Sequence, residues 1–293
     1  MKIIGTLDTR NDADILPGVL DQLKGELDAL YVYDDGSWDS TPSILANHPV
    51  VTKRWNRYDF SEQDRKKHIQ HRRGFLLDAV KLDYPYGTED IWIVRVESDR
   101  FFINQFPREI IDRAIKAGHD SRCGVHLDFT RHRCEGWKEI DTFPKWDVRK
   151  IMKWYRLAEV LTSVAFKVTD DLVFSRPRPW PVGWKLSDYS EDITKEMAFF
   201  AHYGKRSPKY LYLSIMTANR PLSIKYNWDV SSIASIESTA SEWFLPVCVL
   251  PWEGFDNMDI ETLNMTNPYV NNPHKAYFLK QEKEWFGLQT IND

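Results

Sequence analysis

Tyr31-Val32-Tyr33-Asp34-Asp35-Gly36-Ser37-Trp38-Asp39-Ser40-Thr41 begins as an apolar run, closes on two carboxylates and turns through Gly and Ser towards a helix start. Leu30, Val32 and the tyrosines pattern a strand, so Asp34 and Asp35 are expected at its carboxyl end, the edge at which open α/β sheets bind ligands. That placement makes the two acids a candidate site.

Outward from this segment, strand and helix patterns alternate through the first 130 residues. Strands are expected over 3–8, 29–34, 50–55, 90–97 and 122–129, with helical stretches over 13–27, 41–47, 62–82 and 107–117. This rhythm predicts an α/β fold with a mostly parallel sheet flanked by helices. Pro107 suits a first helical turn and Gly118 follows the last periodic residue, so that helix carries both boundary signals. In the 62–82 stretch, Phe75, Leu76, Ala79 and Val80 form the apolar face, and the basic run from Arg65 to Arg73 reads mainly as a solvated face.

Beyond residue 130 the rhythm fails. All but Trp38, Trp55 and Trp92 of the 12 tryptophans fall there, scattered among charges, which suits either the walls of a binding cleft or the packing of an irregular subdomain. The stiff segment Arg176-Pro177-Arg178-Pro179-Trp180-Pro181 belongs to the same region. Residues 206–293 mix helical patterns with Asn and Pro breaks and read as a C-terminal extension. No repeat or low-complexity tract is present.

At 293 residues the chain suits one elaborated domain or one domain with an appended part. A net charge of −4 argues against a globally basic nucleic-acid binder. No run approaches the roughly 18 apolar residues of a membrane span, and Met1-Lys2-Ile3-Ile4-Gly5-Thr6 is too short and too soon charged for a secretory signal, so a cytoplasmic address is expected. Cys123, Cys134 and Cys248 build no disulfide framework. A zinc grouping of Cys123, His126, His132 and Cys134 is disfavoured, because a strand sends Cys123 and His126 to opposite faces and the usual Cys-x-x-Cys half is missing.

The Asp34-Asp35-Gly36-Ser37-x-Asp39-x-Thr41 segment resembles the signature of family 2-like glycosyltransferases of the GT-A superfamily. Thr6-Leu7-Asp8-Thr9-Arg10-Asn11-Asp12 resembles that family's opening loop, with Asp12 in place of a common Glu. Glu97-Ser98-Asp99, closing the strand Ile91–Val96, resembles by position its Asp-x-Asp metal motif, with Glu first rather than Asp. The stretch from Asp64 to Val80 is similar to the Arg-x-x-x-Leu-x-x-Ala helix preceding the metal strand. His202-Tyr203-Gly204-Lys205-Arg206-Ser207 resembles a late His-Tyr-Gly-x-Arg-Ser segment.

The resemblance implies a GT-A (Rossmann-like) catalytic domain over 1–205, divided into a nucleotide-sugar half over 1–130 and an aromatic-rich acceptor half over 131–205. It implies a metal-dependent, inverting glycosyltransferase that moves sugar from a nucleoside diphosphate sugar to a hydroxyl of a glycan, protein or hydroxylated DNA base. Asp8, Thr9, Arg10, Asp34, Asp35, Arg73 and Arg206 become the donor-binding candidates, and Glu97, Asp99 and His202 the ligands for Mn2+ or Mg2+. Such cations take oxygen ligands from one or two carboxylates together with substrate phosphates. For Asn11 and Asp12, capping of the first helix competes with any ligand role.

An inverting transfer needs a carboxylate to take the acceptor proton; Glu139, Asp141, Asp170, Asp171, Glu191 and Asp192 all lie in the plausible region, and Asp141, Glu191 and Asp192 are the named candidates. Two rivals remain at this point: a nucleotidyltransferase, although Leu7-Asp8-Thr9-Arg10 is not Gly-rich, and a noncatalytic sugar- or nucleic-acid-binding module. Basic and aromatic residues interleave at 53–58 and 145–156, which suits a DNA acceptor, although helical or core packing is the simpler reading. The apolar run 243–252 reads as a buried strand or loop rather than a membrane contact.

Overall fold

The computed structural model describes residues 1–57, 62–131, 148–174, 181–182, 196–204 and 249–266, together with 280, 281 and 284. In chain order the described elements are β1 (Lys2–Thr9), α1 (Leu16–Asp21), β2 (Ala29–Asp34), α2 (Thr41–Asn47), β3 (Val51–Asn56), α3 (Glu62–Asp83), β4 (Ile91–Glu97) and β5 (Arg100–Phe102). They continue with α4 (Pro107–Lys116), β6 (Ser121–Thr130), α5 (Val148–Ile151), β7 (Trp154–Lys167), β8 (Val173–Phe174), β9 (Pro181–Val182), β10 (Ala198–His202), β11 (Leu250–Pro251) and α6 (Ile260–Met265). They fall into two compact units, Met1–Val125 with Val160–Phe200, and His126–Glu159 with Ala201–Asp293. The boundary expected at 205/206 lies outside the described residues.

Within the first unit the sheet runs β3-β2-β1-β4-β7-β6-β10-β5, counting the parts of β6, β7 and β10 that belong to it. β1 pairs in parallel with both β2 and β4, and β2 with β3, whereas β7 is antiparallel to β4. The chain therefore leaves β1 in one direction towards β3 and returns through α3 to the other side of β1. The direction of winding reverses between β1 and β4, which is where an open α/β sheet forms a ligand crevice at its carboxyl edge. The mostly parallel α/β sheet expected from the strand and helix rhythm is present.

α3 runs back across the sheet, and Leu76, Leu77 and Val80 bury against Ile4, Tyr31, Tyr33, Ile91, Ile93 and Phe166. Arg72 and Arg73 lie one turn earlier on the same stripe, by the four-residue recurrence of a helix face. The C-terminal end of α3 is fixed by Asp83, which accepts hydrogen bonds from Tyr31 and Lys53. Lys53, followed by Trp55, belongs to the basic and aromatic run noted above. Trp55 packs edge-on against Tyr31 and Phe75 at 5.8 and 5.2 Å between centroids. Those two side chains hold α3 on the sheet.

The bonds from Lys53, and then from Tyr31, hold the Asp83 carboxyl below its ordinary pKa. A depressed folded-state pKa gives stability that is present above the unfolded value of about 3.9 and lost as pH falls through the folded value. The Asp83→Asn variant is expected to denature at lower urea than the wild type at neutral pH. The gap between their midpoints should narrow as the pH falls below about 4, and a gap independent of pH would remove this assignment.

Three departures from the sequence reading have local causes. The helix expected over 13–27 is regular only from Leu16 to Asp21, with Pro17 in its first turn. Its continuation tightens into three-residue turns, such as Leu23 N to Leu20 O at 3.1 Å, and ends by Gly25 at φ +79°. Leu16, Val19, Leu20 and Leu23 still bury the expected face. β5 was hidden by its length, and β7, a 14-residue strand, by charged residues that interrupt its apolar pattern.

Gly124 in β6 marks a close approach to β10. A Cβ there would sit 2.6 Å from the carbonyl oxygen of Ala198 and 2.3 Å from Phe200 Cε2. The first of these is backbone and cannot rotate away. Gly124→Ala is expected to cost about 2 kcal/mol, within the range for overpacking, read as a lower denaturation midpoint; an unchanged midpoint would contradict the packing.

In the second unit, β11 pairs antiparallel with β7, and Trp252 packs on Phe129 and Tyr155 at 5.1 and 5.2 Å. Val249 and Leu250 are buried, so the described part of the 243–252 run is a core strand and its flank. Trp154, Tyr155 and Arg156, the described C-terminal end of the second basic and aromatic run, are buried as well. Among the described residues no helix is long and apolar enough to cross a membrane.

Candidate functional site

The carboxyl ends of β1, β2 and β4 bring together acids far apart in sequence. Register places Asp8 opposite Glu97 on one side and opposite Tyr33 on the other, with Thr9 opposite Asp34. Asp35 extends the ladder by one bond, its N–H donating to Thr9 O at 2.9 Å.

Asp34 and Asp35 then take different partners. Asp34 Oδ1 accepts from the Ser37 N–H at 2.8 Å and the Ser37 hydroxyl at 2.7 Å, while Oδ2 accepts from Asn56 Nδ2 at 3.2 Å. These bonds shape the Asp-Asp-Gly-Ser turn, where Gly36 sits at φ +78°, a conformation suited to glycine. Burial raises the Asp34 carboxyl above its ordinary pKa, against the lowering effect of the Ser37 bonds.

Asp35 instead lies among cations. Its Oδ2 accepts from Arg72 Nη1 at 2.9 Å, Arg10 Nη1 is 3.8 Å from the same oxygen, and Arg57 Nη1 is 3.9 Å from Oδ1. Arg72 also approaches Asp8 at 3.9 Å, and Arg73 bridges Asp8 and Glu97 at 3.7 Å each. Glu97 is in turn ion-paired with Arg95 and with Arg100. Among the described residues, the cluster connected by these pairs holds six guanidinium groups (Arg10, Arg57, Arg72, Arg73, Arg95, Arg100) and three carboxylates (Asp8, Asp35, Glu97).

Cations outnumber anions in that cluster. Burial, and next the nearby charge of Arg95, push the Arg73 guanidinium below its ordinary pKa. Like charges held close in a partly desolvated crevice favour an incoming anion. Planar guanidinium forks match phosphate oxygens in pairs. Arg10 also lies over the exposed Trp38 ring, 5.4 Å from its centroid.

The loop after β1 is built around Asp12. Its Oδ2 accepts from the Thr9 hydroxyl at 2.8 Å, the Arg10 N–H at 3.1 Å and the Ser98 hydroxyl at 2.6 Å, joining the β1 loop to the turn after β4. Asn11 takes φ 56°, donates its N–H to Ser37 Oγ at 2.9 Å and accepts from the Trp38 N–H at 3.0 Å. Both residues therefore satisfy amides of the loops rather than capping the first helix, whose N-cap is Ile15 without a side-chain bond.

Glu97 and Asp99 would share one side only if the chain stayed extended. Strand alternation ends at Glu97, and Ser98 and Asp99 form the turn into β5. The carboxylate of Glu97 is occupied by guanidinium groups, an arrangement that does not fit a ligand for Mn2+ or Mg2+. Among the described residues no group of three or more His, Cys, Asp and Glu side chains is disposed to hold a metal ion.

In the second unit, His202 Nδ1 lies 2.7 Å from Asp128 Oδ1, and Arg156 Nη2 lies 3.6 Å from Asp128 Oδ2. The His126 ring stacks on His202 at 5.9 Å. A carboxylate on Nδ1 fixes the orientation of the imidazole and leaves Nε2 as the acceptor of the neutral ring. Nothing in the local sequence pairs Asp128 with His202, 74 positions away. Asp141, Glu191, Asp192 and Arg206 lie outside the described residues.

No family model matches the chain, and no curated protein matches it. Among solved structures it is similar to glucosyl-3-phosphoglycerate synthase from Mycobacterium tuberculosis in complex with Mn2+, uridine diphosphate and glucosyl-3-phosphoglycerate, at 17% identity over 44% of each chain and a TM-score of 0.27. A structure described as a mycobacterial protein is 20% identical over 46% of this chain and 42% of its own, with a TM-score of 0.27. A 4-diphosphocytidyl-2C-methyl-D-erythritol synthase is 16% identical over 57% of this chain and 74% of its own, with a TM-score of 0.29. The match thus spans less than half the length of each of the first two proteins. At such scores the assignment stands on the geometry of this chain.

Proposed function

We propose that this protein is a glycosyltransferase of GT-A type, taking sugar from a nucleoside diphosphate sugar and passing it, with inversion, to a hydroxyl of a glycan, protein or hydroxylated DNA base. The observation that carries the proposal is the guanidinium-rich cluster at the switch point between β1 and β4, beside the Asp-Asp-Gly-Ser turn. Departure of a nucleoside diphosphate leaves negative charge on its terminal phosphate, and preorganised donors aimed at that charge lower the barrier. Arg72 and Arg73 hold the diphosphate from α3, with Arg10 from the β1 loop. Asp8, Thr9, Asp34 and Asp35 line the nucleoside side, and Asn56 sets the orientation of Asp34. One of Asp141, Glu191 or Asp192 takes the acceptor proton.

A divalent cation, when one is bound in enzymes of this kind, supplies charge neutralisation at the leaving group. Here the same electrostatic work falls to arginines. A thermal-shift screen of UDP-, GDP-, ADP- and TDP-sugars tests the proposal. One class is expected to raise the unfolding temperature by roughly 5 °C at about 100-fold excess over its Kd and to release nucleoside diphosphate when acceptor is added. A shift with nucleoside triphosphates alone would favour a nucleotidyltransferase instead.

A further inference from the structure

We infer that the strand-end cluster neutralises the diphosphate through its guanidinium groups, without a divalent cation seated on Glu97. The inference deepens the nucleotide-sugar reading and rests on it. Its basis is the position of Glu97. This residue closes the strand at the switch point, where a cation-binding acid would stand, yet Arg95 and Arg100 both pair with it and Arg73 Nη2 lies 3.7 Å from its Oε1.

A doubly charged ion on that carboxylate would face three like charges within one side chain's reach, one of them the buried Arg100. Reach and alternation explain the arrangement. Arg95 is two residues from Glu97 along β4 and shares its face, while Arg100 returns from the start of β5 after a two-residue turn. Arg73 enters from α3 and links this group to Asp8, and Arg72 links Asp8 to Asp35. Glu97 therefore acts as a positioning residue: it gathers three guanidiniums at the end of β4, and a diphosphate takes over part of their pairing.

The two possible roles of Glu97 give opposite signs on one variant. If it bound a metal, Glu97→Gln would weaken diphosphate binding. If it organises arginines, the same change removes a competing negative charge while keeping an oxygen acceptor, and binding is retained or strengthened.

The experiment is calorimetric titration of the full chain with inorganic pyrophosphate, in EDTA and in excess Mn2+, at a temperature below the unfolding midpoint of each variant. Wild-type affinity in EDTA is expected to stay within about threefold of that in Mn2+, and Glu97→Gln to bind at least as tightly as wild type. Arg73→Ala should bind at least about tenfold more weakly, with Arg73→Lys between them because it keeps the charge but loses the fork. Binding that appears only with Mn2+, or is abolished by Glu97→Gln, would overturn the inference, and the wild-type comparison needs no variant to fold. Sugar transfer that strictly needs Mn2+ would likewise overturn it and leave the transferase reading standing. Metal-independent pyrophosphate binding without transfer from any nucleotide sugar would support the arginine site and defeat the transferase reading.

Discussion

Replacing Arg73 by alanine is expected to lower the turnover of nucleotide-sugar transfer by about 10²–10³-fold, the cost of removing one preorganised donor from a developing oxyanion. Arg73 lies one turn before Leu77 on the stripe of α3 whose Leu76, Leu77 and Val80 are buried against the sheet, so the helix delivers its guanidinium to the strand ends. Its two carboxylate neighbours, Asp8 and Glu97, are the register partners at the ends of β1 and β4. The loss should appear mainly in kcat, because the charge on the leaving phosphate grows only as the glycosidic bond breaks. A change confined to KM would mean uniform binding of donor and transition state, and would take Arg73 out of the leaving-group role. Arg73→Lys should recover only part of the rate, since an ammonium supplies charge without the paired donors of a guanidinium.

Asp12→Ala is expected to destabilise the protein by about 4 kcal/mol and lower its unfolding midpoint by roughly 10 °C. Three donors converge on one oxygen of this buried carboxylate, and they come from two different strand ends. Truncation leaves the Thr9 hydroxyl, the Arg10 N–H and the Ser98 hydroxyl without that acceptor, and buried donors without partners are costly. Because Arg10 and the β4 turn shift together when this tie is lost, pyrophosphate binding should weaken along with stability. Asp12→Asn, which retains an oxygen acceptor, should lose about half as much. A wild-type midpoint for Asp12→Ala would show that the loop is held by other means.

Much of the fold was legible because β1, β2 and β4 are largely apolar runs that reach a carboxylate at their ends. Thr41–Asn47 and Pro107–Lys116 carried strong boundary residues: a Pro near the start of each, and Gly118 just beyond the second. Asp8, Asp34, Asp35, Arg73 and Glu97 were each visible as candidates, and register brings the acids to one edge. Local rules carried less far at the strand ends. Alternation would place Glu97 beside Asp99, but the strand ends at Glu97, and the same alternation read backwards puts Arg95 beside it. Arg100 gave no signal and Arg57 stood out only as part of the basic and aromatic run 53–58, since an arginine's partner depends on the neighbouring strand rather than on spacing. β7 escaped because Arg156, buried against Asp128, breaks the apolar pattern that marks a core strand. Asp128 and His202 are joined only by tertiary structure.

Hydrogen exchange with and without saturating UDP or GDP tests the placement of the donor most directly. Ligand should slow exchange in the peptides spanning residues 8–12, 34–37 and 97–100, whose amides and side chains frame the crevice between β1 and β4. Protection confined to other peptides, with these three exchanging as in the unliganded protein, would contradict a diphosphate site at the strand ends.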